Sequence, residues 1–434
     1  MKKDVNLLIE KLNAPTKKER LAALRDIIAL EKAGVIEKPE TGNFVNNHIH
    51  TTYSFSPYSP TKALYMARKA GLVTAGIMDH DSVGGHEEFV EAGKIAGMDI
   101  TCGFECRVSI AGTSLYGRRL NNPDQVSVAY VAVHGIPHQK FGECEKFLAP
   151  YRAKRNERNR KMVENINRIV APFGMTLDFD RDVVPLSMAA EGGSITERHL
   201  IFALVKKIIH FYGKGEPVVN LIKDGFRIPL SQKIEGFLLD PQNPCYEYDL
   251  LGALKSDFVS KFYVDADEEC PAVRDLVAFA RSIGAISAYA YLGDVGNSVT
   301  GDKKAQKFED DYLDELFEVL KKLNFNAVTY MPSRNTPEQL ARVMSLCDKF
   351  GFFQISGEDI NTPRQSFICP ALAKPEYAHL STATWVLIGH EKAATENEKE
   401  AMFSDWADSA FKNLGEKIAY YYKKGKDDAD FLKK

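Results

Sequence analysis

Residues 44–54, FVNNHIHTTYS, and residues 73–81, VTAGIMDHD, decide how this chain is read. Each run places imidazole or carboxylate groups directly after a short apolar segment: His48 and His50 in the first, Asp79, His80 and Asp81 in the second. A parallel barrel presents metal ligands in this way, because alternate strand residues point inward and the carboxyl ends of the strands open onto one rim. An isolated H-x-H is weak on its own. Two such runs about 30 residues apart, followed by Gly103-Phe104-Glu105 and by a strand that ends in His134, form a constellation that chance rarely assembles.

Outward from these runs, strand-like and helix-like segments alternate, which predicts a parallel sheet with crossover helices. Strands are expected at 44–49, 73–78, 100–105, 126–133, 285–290, 326–331 and 352–356. Ser59 as N-cap, Pro60 in the first turn and Gly71 as a stop mark the first crossover helix. Before the barrel, Leu7, Leu8 and Leu12, then Leu21, Leu24, Ile27 and Ile28, recur at helical spacing with Pro15-Thr16 between them, so residues 1–43 read as a helical extension. Roughly 145 residues separate the fourth strand from the fifth, far more than a barrel connection needs. The expected division is therefore a barrel over 44–139 and 281–370, an inserted and mainly helical cap over 140–280, and a helical tail over 371–434.

Composition narrows the function. Hydrophobic residues at 44%, charged residues at 26% and a net charge of −3 describe an ordinary globular chain with no basic field for nucleic acid. No apolar run is long enough to span a membrane, and charge interrupts the apolar stretch near the start, so the protein reads as cytoplasmic. The seven cysteines are odd in number and scattered, and Cys102 and Cys106 lie within a predicted strand, which reads as reduced, buried thiols.

With these motifs assembled, the chain resembles the PHP (polymerase and histidinol phosphatase) superfamily of metal-dependent phosphoesterases. HIHTTYS (48–54) is similar to the opening H-x-H-T motif, IMDHDSVGG (77–85) to the second, CGFE (102–105) to the acidic third, AVH (132–134) to the histidine that follows, and ISGEDIN (355–361) to the closing S-G-x-D-x-H. RNERNRKM (155–162) and GGSITERHL (192–200) resemble the helical cap of family members that act on nucleotide-like substrates. The resemblance implies an α/β fold, a distorted seven-stranded (β/α)7 TIM-like barrel with an inserted helical cap. It implies hydrolysis of a small phosphorylated metabolite or nucleotide by metal-activated water.

Carried over to this chain, the resemblance implies one ion held by His48, His50, Glu105 and Asp359, and a second sharing Glu105 and taking His134. Zn, Mn or Fe would suit these ligands, one or two ions per chain. Asp79, His199 and Tyr291 are further candidate ligands, Tyr291 standing where the family has a histidine. Phe55 and Asn361 replace groups that would hold a third ion, so none is expected beside His80. His80 or Asp81 is expected to handle the leaving-group proton. Arg155, Arg158, His199 and Asn361 are candidates for the phosphate, although the two arginines also fit a solvated helix face and His199 a helix-packing role. His86 and His138 read as surface residues, and Arg118, Arg119 and Arg334 fall in loops after strands. Three rival readings remain: a PHP domain that has lost catalysis and only binds, a metal-dependent hydrolase of a non-phosphate bond, and a nuclease, which the balanced charge and the lack of a basic, aromatic-studded strip disfavour.

Overall fold

In a computed structural model, which describes residues 4–295 and 306–431, all seven expected strands form. They are β1 (Phe44–Ile49), β2 (Leu72–His80), β3 (Asp99–Ser109), β4 (Val128–His134), β5 (Ile286–Ala290), β6 (Ala327–Tyr330) and β7 (Phe353–Ser356). They lie in sequence order in one curled sheet. The crossover helix Pro60–Lys69 starts as expected, with the Ser59 side chain accepting from Lys62 N and proline at the first turn.

Two expectations are corrected. The sheet is mixed, because β4 runs antiparallel to both β3 and β5 while the other neighbouring pairs are parallel. The physical reason lies in residues 110–127, which hold turns and no crossover helix: Ile110 N donates to Ser127 O and Ser127 N to Arg118 O, so the chain returns as a broad hairpin. The sheet is also open. β1 does not pair with β7 as a ladder; it meets the far edge through a bridge beyond β7, where His50 N donates to Ile360 O at 3.0 Å and Ile360 N to His48 O at 3.1 Å, and through the Asn46 and Asn47 side chains.

The concave face is filled by the helix Ala378–Glu396 from the expected tail. Ala383, Val386 and Leu387 pack against Met78, Ala132, Ala288, Ala327 and Phe353, which the strand registers place on one face. Small residues on the strands make room for this helix, and an ordinary barrel would fill the space with side chains alone. The helix Leu414–Phe431 crosses it at Gly389 and Gly425, where the backbones approach so closely that a Cβ at Gly389 would overlap the Tyr421 carbonyl. At the other end of the chain, Val5–Lys11 and Lys17–Lys32 form the expected helices, the second opened by a Thr16–Glu19 capping box.

Because β4 is reversed, the segment after it leaves from the amino end of the parallel strands and not from the rim of the expected site. One 30-residue helix, Phe141–Val170, covers the distance. At 1.5 Å per residue it is ~45 Å long. Its foot packs on His86 and His138 through Phe141, its middle reaches Asp81, and Met162, Val163, Ile166 and Val170 at its far end enter a second apolar core with the helices Glu197–Tyr212 and Tyr246–Phe262.

Candidate metal centre

β1, β2 and β3 each deliver side chains to the same point, and the loop after β7 brings in Asp359. The β2–β3 register pairs His80 with Glu105, and alternation puts His48 and His50 on one side of β1's end. Gly357 allows this approach, since a Cβ there would stand 2.5 Å from the His48 Cβ. Glu105 Oε1 lies 3.3 Å from His48 Nε2, 3.3 Å from His50 Nε2 and 3.1 Å from His80 Nδ1. Asp359 Oδ1 lies 3.1 Å from the same His50 Nε2. Two trios, His48–His50–Asp359 and His50–His80–Glu105, have ligand atoms within 4.8 Å of one another.

His50 carries the most telling geometry. Its Nε2 is buried and, despite two carboxylates nearby, has no hydrogen-bond partner, because the directions are wrong for one. Its Nδ1 lies 3.2 Å from Ser54 Oγ, which donates onward to Asp79 Oδ1 at 2.6 Å. This chain assigns the ring proton to Nδ1 and leaves the Nε2 lone pair facing Glu105 and Asp359, the usual support for a metal-binding imidazole. Burial opposes charge on His50, but Asp359 and Glu105 raise its pKa to about 10, so a proton and a cation compete for that nitrogen. Burial also opposes charge on the two carboxylates, yet the imidazoles hold Glu105 and Asp359 below the usual carboxylate range. Burial lowers His80 to about 3, leaving a neutral ring.

Several expected site residues have other work. Asp79 accepts from Thr51 N, Thr51 Oγ1 and Ser54 Oγ at 2.6–2.7 Å, so it supports a ligand and is not one. Asp81 is ion-paired with Arg155, which removes it from easy proton transfer. Arg155 and Arg158 face Glu269, and Arg158 also reaches Glu197 and the Val264 carbonyl, so in this structure both guanidinium groups are paired within the inserted segment, with Arg155 also reaching Asp81 of the barrel. Tyr291 donates to Asp310 Oδ1 at 2.6 Å. Asn361 donates to Asp359 Oδ1 at 2.6 Å and orients it. His199 accepts from Thr196 N through Nδ1 in a helix capping box, with its ring edge-on to Phe55 at 5.0 Å. His134, paired with Ile286 on reversed β4, lies deeper than Glu105; its buried Nε2 has no partner and falls outside the trios. His80 joins the same centre as His50, whereas the sequence set it apart beside a vacant third position.

Phe55 has left the ligand cluster altogether. At φ 130°, a conformation side chains rarely adopt, it turns into the second core against Phe202 and Tyr248. The inserted segment is further tied to this corner by Ser194 N to Tyr53 O at 2.7 Å and Ser82 Oγ to Gly192 O at 2.7 Å.

Two cations were missed by the sequence reading. Arg198, beside His199 in TERHL, and Lys255, on the helix Tyr246–Phe262, have no hydrogen-bonded or ion-paired carboxylate among the described residues. They are close enough to repel each other: Arg198 lowers Lys255, which stands exposed on its helix, to about 8, and both feel Asp359 and Glu197. Arg198 was legible only as the neighbour of a quoted histidine, and nothing in ALKSD singles out Lys255.

No family model matches the chain, and no curated protein does. Among solved structures, one assigned as a metal-dependent phosphoesterase from Bifidobacterium adolescentis aligns at 18% identity over 78% of this chain and 96% of the other, with a TM-score of 0.49. An amidohydrolase from Chromobacterium violaceum aligns at 17% identity over 78% of this chain and 96% of its own, with a TM-score of 0.50. The second likeness is one of fold. Among the described residues, no helix is long and apolar enough to cross a membrane.

Proposed function

We propose that the cleft is the active site of a metal-dependent hydrolase of the PHP kind, and that it cleaves the phosphate ester of a small phosphorylated metabolite or nucleotide. The observation that carries this reading is the unbonded His50 Nε2, set between the Glu105 and Asp359 carboxylates with His48 and His80 beside it. Imidazoles and carboxylates in this number fit Zn, Mn or Fe. His48, His50, Asp359 and Glu105 would hold one ion. Both trios use the same His50 nitrogen, so a second ion would rest on His80, Glu105 and the deeper His134.

Bound there, a divalent ion supplies Lewis acidity toward the phosphoryl group and activates water for attack. The chain's own residues do the rest. Ser54 and Asp79 fix the His50 ring, and Asn361 fixes the Asp359 carboxylate. Arg198 and Lys255, unpaired on the cap side, receive the phosphoryl oxygens and favour an anionic substrate over a neutral amide. The balanced net charge of −3 argues against nucleic acid.

The test is elemental analysis of the purified protein with a screen of phosphate monoesters before and after chelation. Hydrolysis that chelator abolishes and Mn, Zn or Fe restores is the expected result. Tyr291 and Asn361, engaged in hydrogen bonds where ligands are expected, favour the second reading of a binding module. Metal-loaded protein that binds phosphate esters but turns none over would establish that module instead.

A further inference from the structure

Cys102, His138 and Glu391 form a separate cluster, drawn from β3, the turn His138–Lys140 before the long helix, and the concave-face helix. Their Sγ, imidazole nitrogen and carboxylate oxygen lie within 4.8 Å of one another. Cys102 is three residues before Glu105, and strand alternation directs the two side chains to opposite faces of the sheet.

Glu391 is the informative member. It is 3% exposed, and no lysine or arginine pairs with it among the described residues. Its Oε2 accepts from Cys102 N at 2.8 Å, and its Oε1 accepts from His138 Nε2 at 2.8 Å, a proton that an ion would have to displace to the other ring nitrogen. A buried carboxylate without a fixed cation is costly unless a proton or a metal compensates it. A thiol and an imidazole facing the same point are the partners that would favour a metal.

We infer that Cys102, His138 and Glu391 bind a zinc-like divalent ion at a second site, distinct from the rim centre. Three protein ligands of this kind leave a fourth tetrahedral position, and the His138 side chain, 32% exposed, gives that position a route to water. On binding, the Cys102 S–H bond breaks, the sulfur pair goes to the ion and the proton to solvent. The thiolate makes this site softer than the rim centre, which offers only nitrogen and oxygen, so the two should sort ions differently. The ion would fasten the foot of the long helix and the concave-face helix to one strand.

Cobalt(II) titration of the chelator-treated full-length protein tests the site without reference to catalysis. Saturation should produce a thiolate-to-cobalt charge-transfer absorption that His50→Ala retains and that Cys102→Ala and His138→Gln each lose, together with one bound ion per chain. Absence of that absorption in the unmodified protein, or its survival in Cys102→Ala, would overturn the site. If circular dichroism shows Cys102→Ala unfolded, His138→Gln decides, since its side chain is partly exposed: loss of the absorption supports the site and retention refutes it. Failure at His50 with the charge-transfer band intact would break the rim-centre reading alone.

Discussion

The two sides of the rim use the same residue types to opposite ends. At the ends of β1, β2 and β3, Glu105 and Asp359 face imidazole nitrogens, and His50 Nε2 has no hydrogen bond at all. Beyond β5, Asp310 faces donors: it accepts from Tyr291, Asp294 N and Gln339. Asn335 and Arg334 close the loop by donating to Leu292 O. A buried carboxylate surrounded by N–H and O–H groups is already stabilised. One faced by several imidazole nitrogens, as Glu105 is, offers a cation partners that a proton would otherwise occupy. The distinction between structure and site therefore rests on what each carboxylate faces, and residue type alone does not reveal it.

Exchanging carboxylate for amide on each side is the strongest way to break the contrast. Glu105→Gln should weaken metal binding by about 100-fold or more, since one oxygen serves three imidazoles, while Asp310→Asn should leave metal content unchanged by elemental analysis. Equal loss in both would erase the difference drawn between the two sides.

Glu309 offers a test by pH. Burial raises its pKa from 4.5 to about 7, so the folded state favours the protonated acid. Its stabilising contribution is present below about 4.5 and is lost as pH rises through about 7. Glu309→Gln should remove that dependence and gain roughly 1–3 kcal/mol on the unmodified protein between pH 5 and pH 8 in urea unfolding. A gap that is the same at both pH values would refute the assignment.

Arg198→Ala sharpens the reading of the cleft. Truncating an unpaired cation should lower kcat/KM for a phosphate monoester by about 10-fold, or ~1.4 kcal/mol, without changing metal content. An unchanged kcat/KM would remove the arginine from substrate binding. Smallest of all, Tyr291→Phe should cost about 1 kcal/mol of stability through the lost bond to Asp310 and leave metal occupancy as it was. A fall in occupancy would return Tyr291 to the ligand set.

Much of this was legible in the sequence, for local reasons. The seven strands and the cap at Ser59 follow from periodicity and capping chemistry within a few residues, and HIHT, Glu105 and ISGED announce ligands at strand ends. Strand direction was not legible in the same way, because alternation looks alike in either sense. The absence of a helical stretch in residues 110–127 was the available sign that β4 turns back. The concave-face helix was read as part of a charged helical tail, and which sheet face its apolar residues fill depends on contacts about 30–300 residues away. The partners of Arg155 and Arg158 were not legible for a related reason: Asp81, Glu197 and Glu269 are distant in sequence, and an arginine on an apolar helix face looks the same whether it holds substrate or a buried carboxylate.

The helix Phe141–Val170 also has a mechanical meaning. It is held at its foot beside His138 and clamped by Arg155 to Asp81, and it carries apolar core residues at its tip. That makes it a lever. From Arg155 to Val170 the arm is ~22 Å, so a pivot of ~10° at the arginine clamp would swing the tip by ~4 Å. The same small rotation would carry the neighbouring helices, and Arg198 and Lys255 with them, toward or away from the rim. Any tilt of the helix about that buried salt bridge would thus be amplified along one rod.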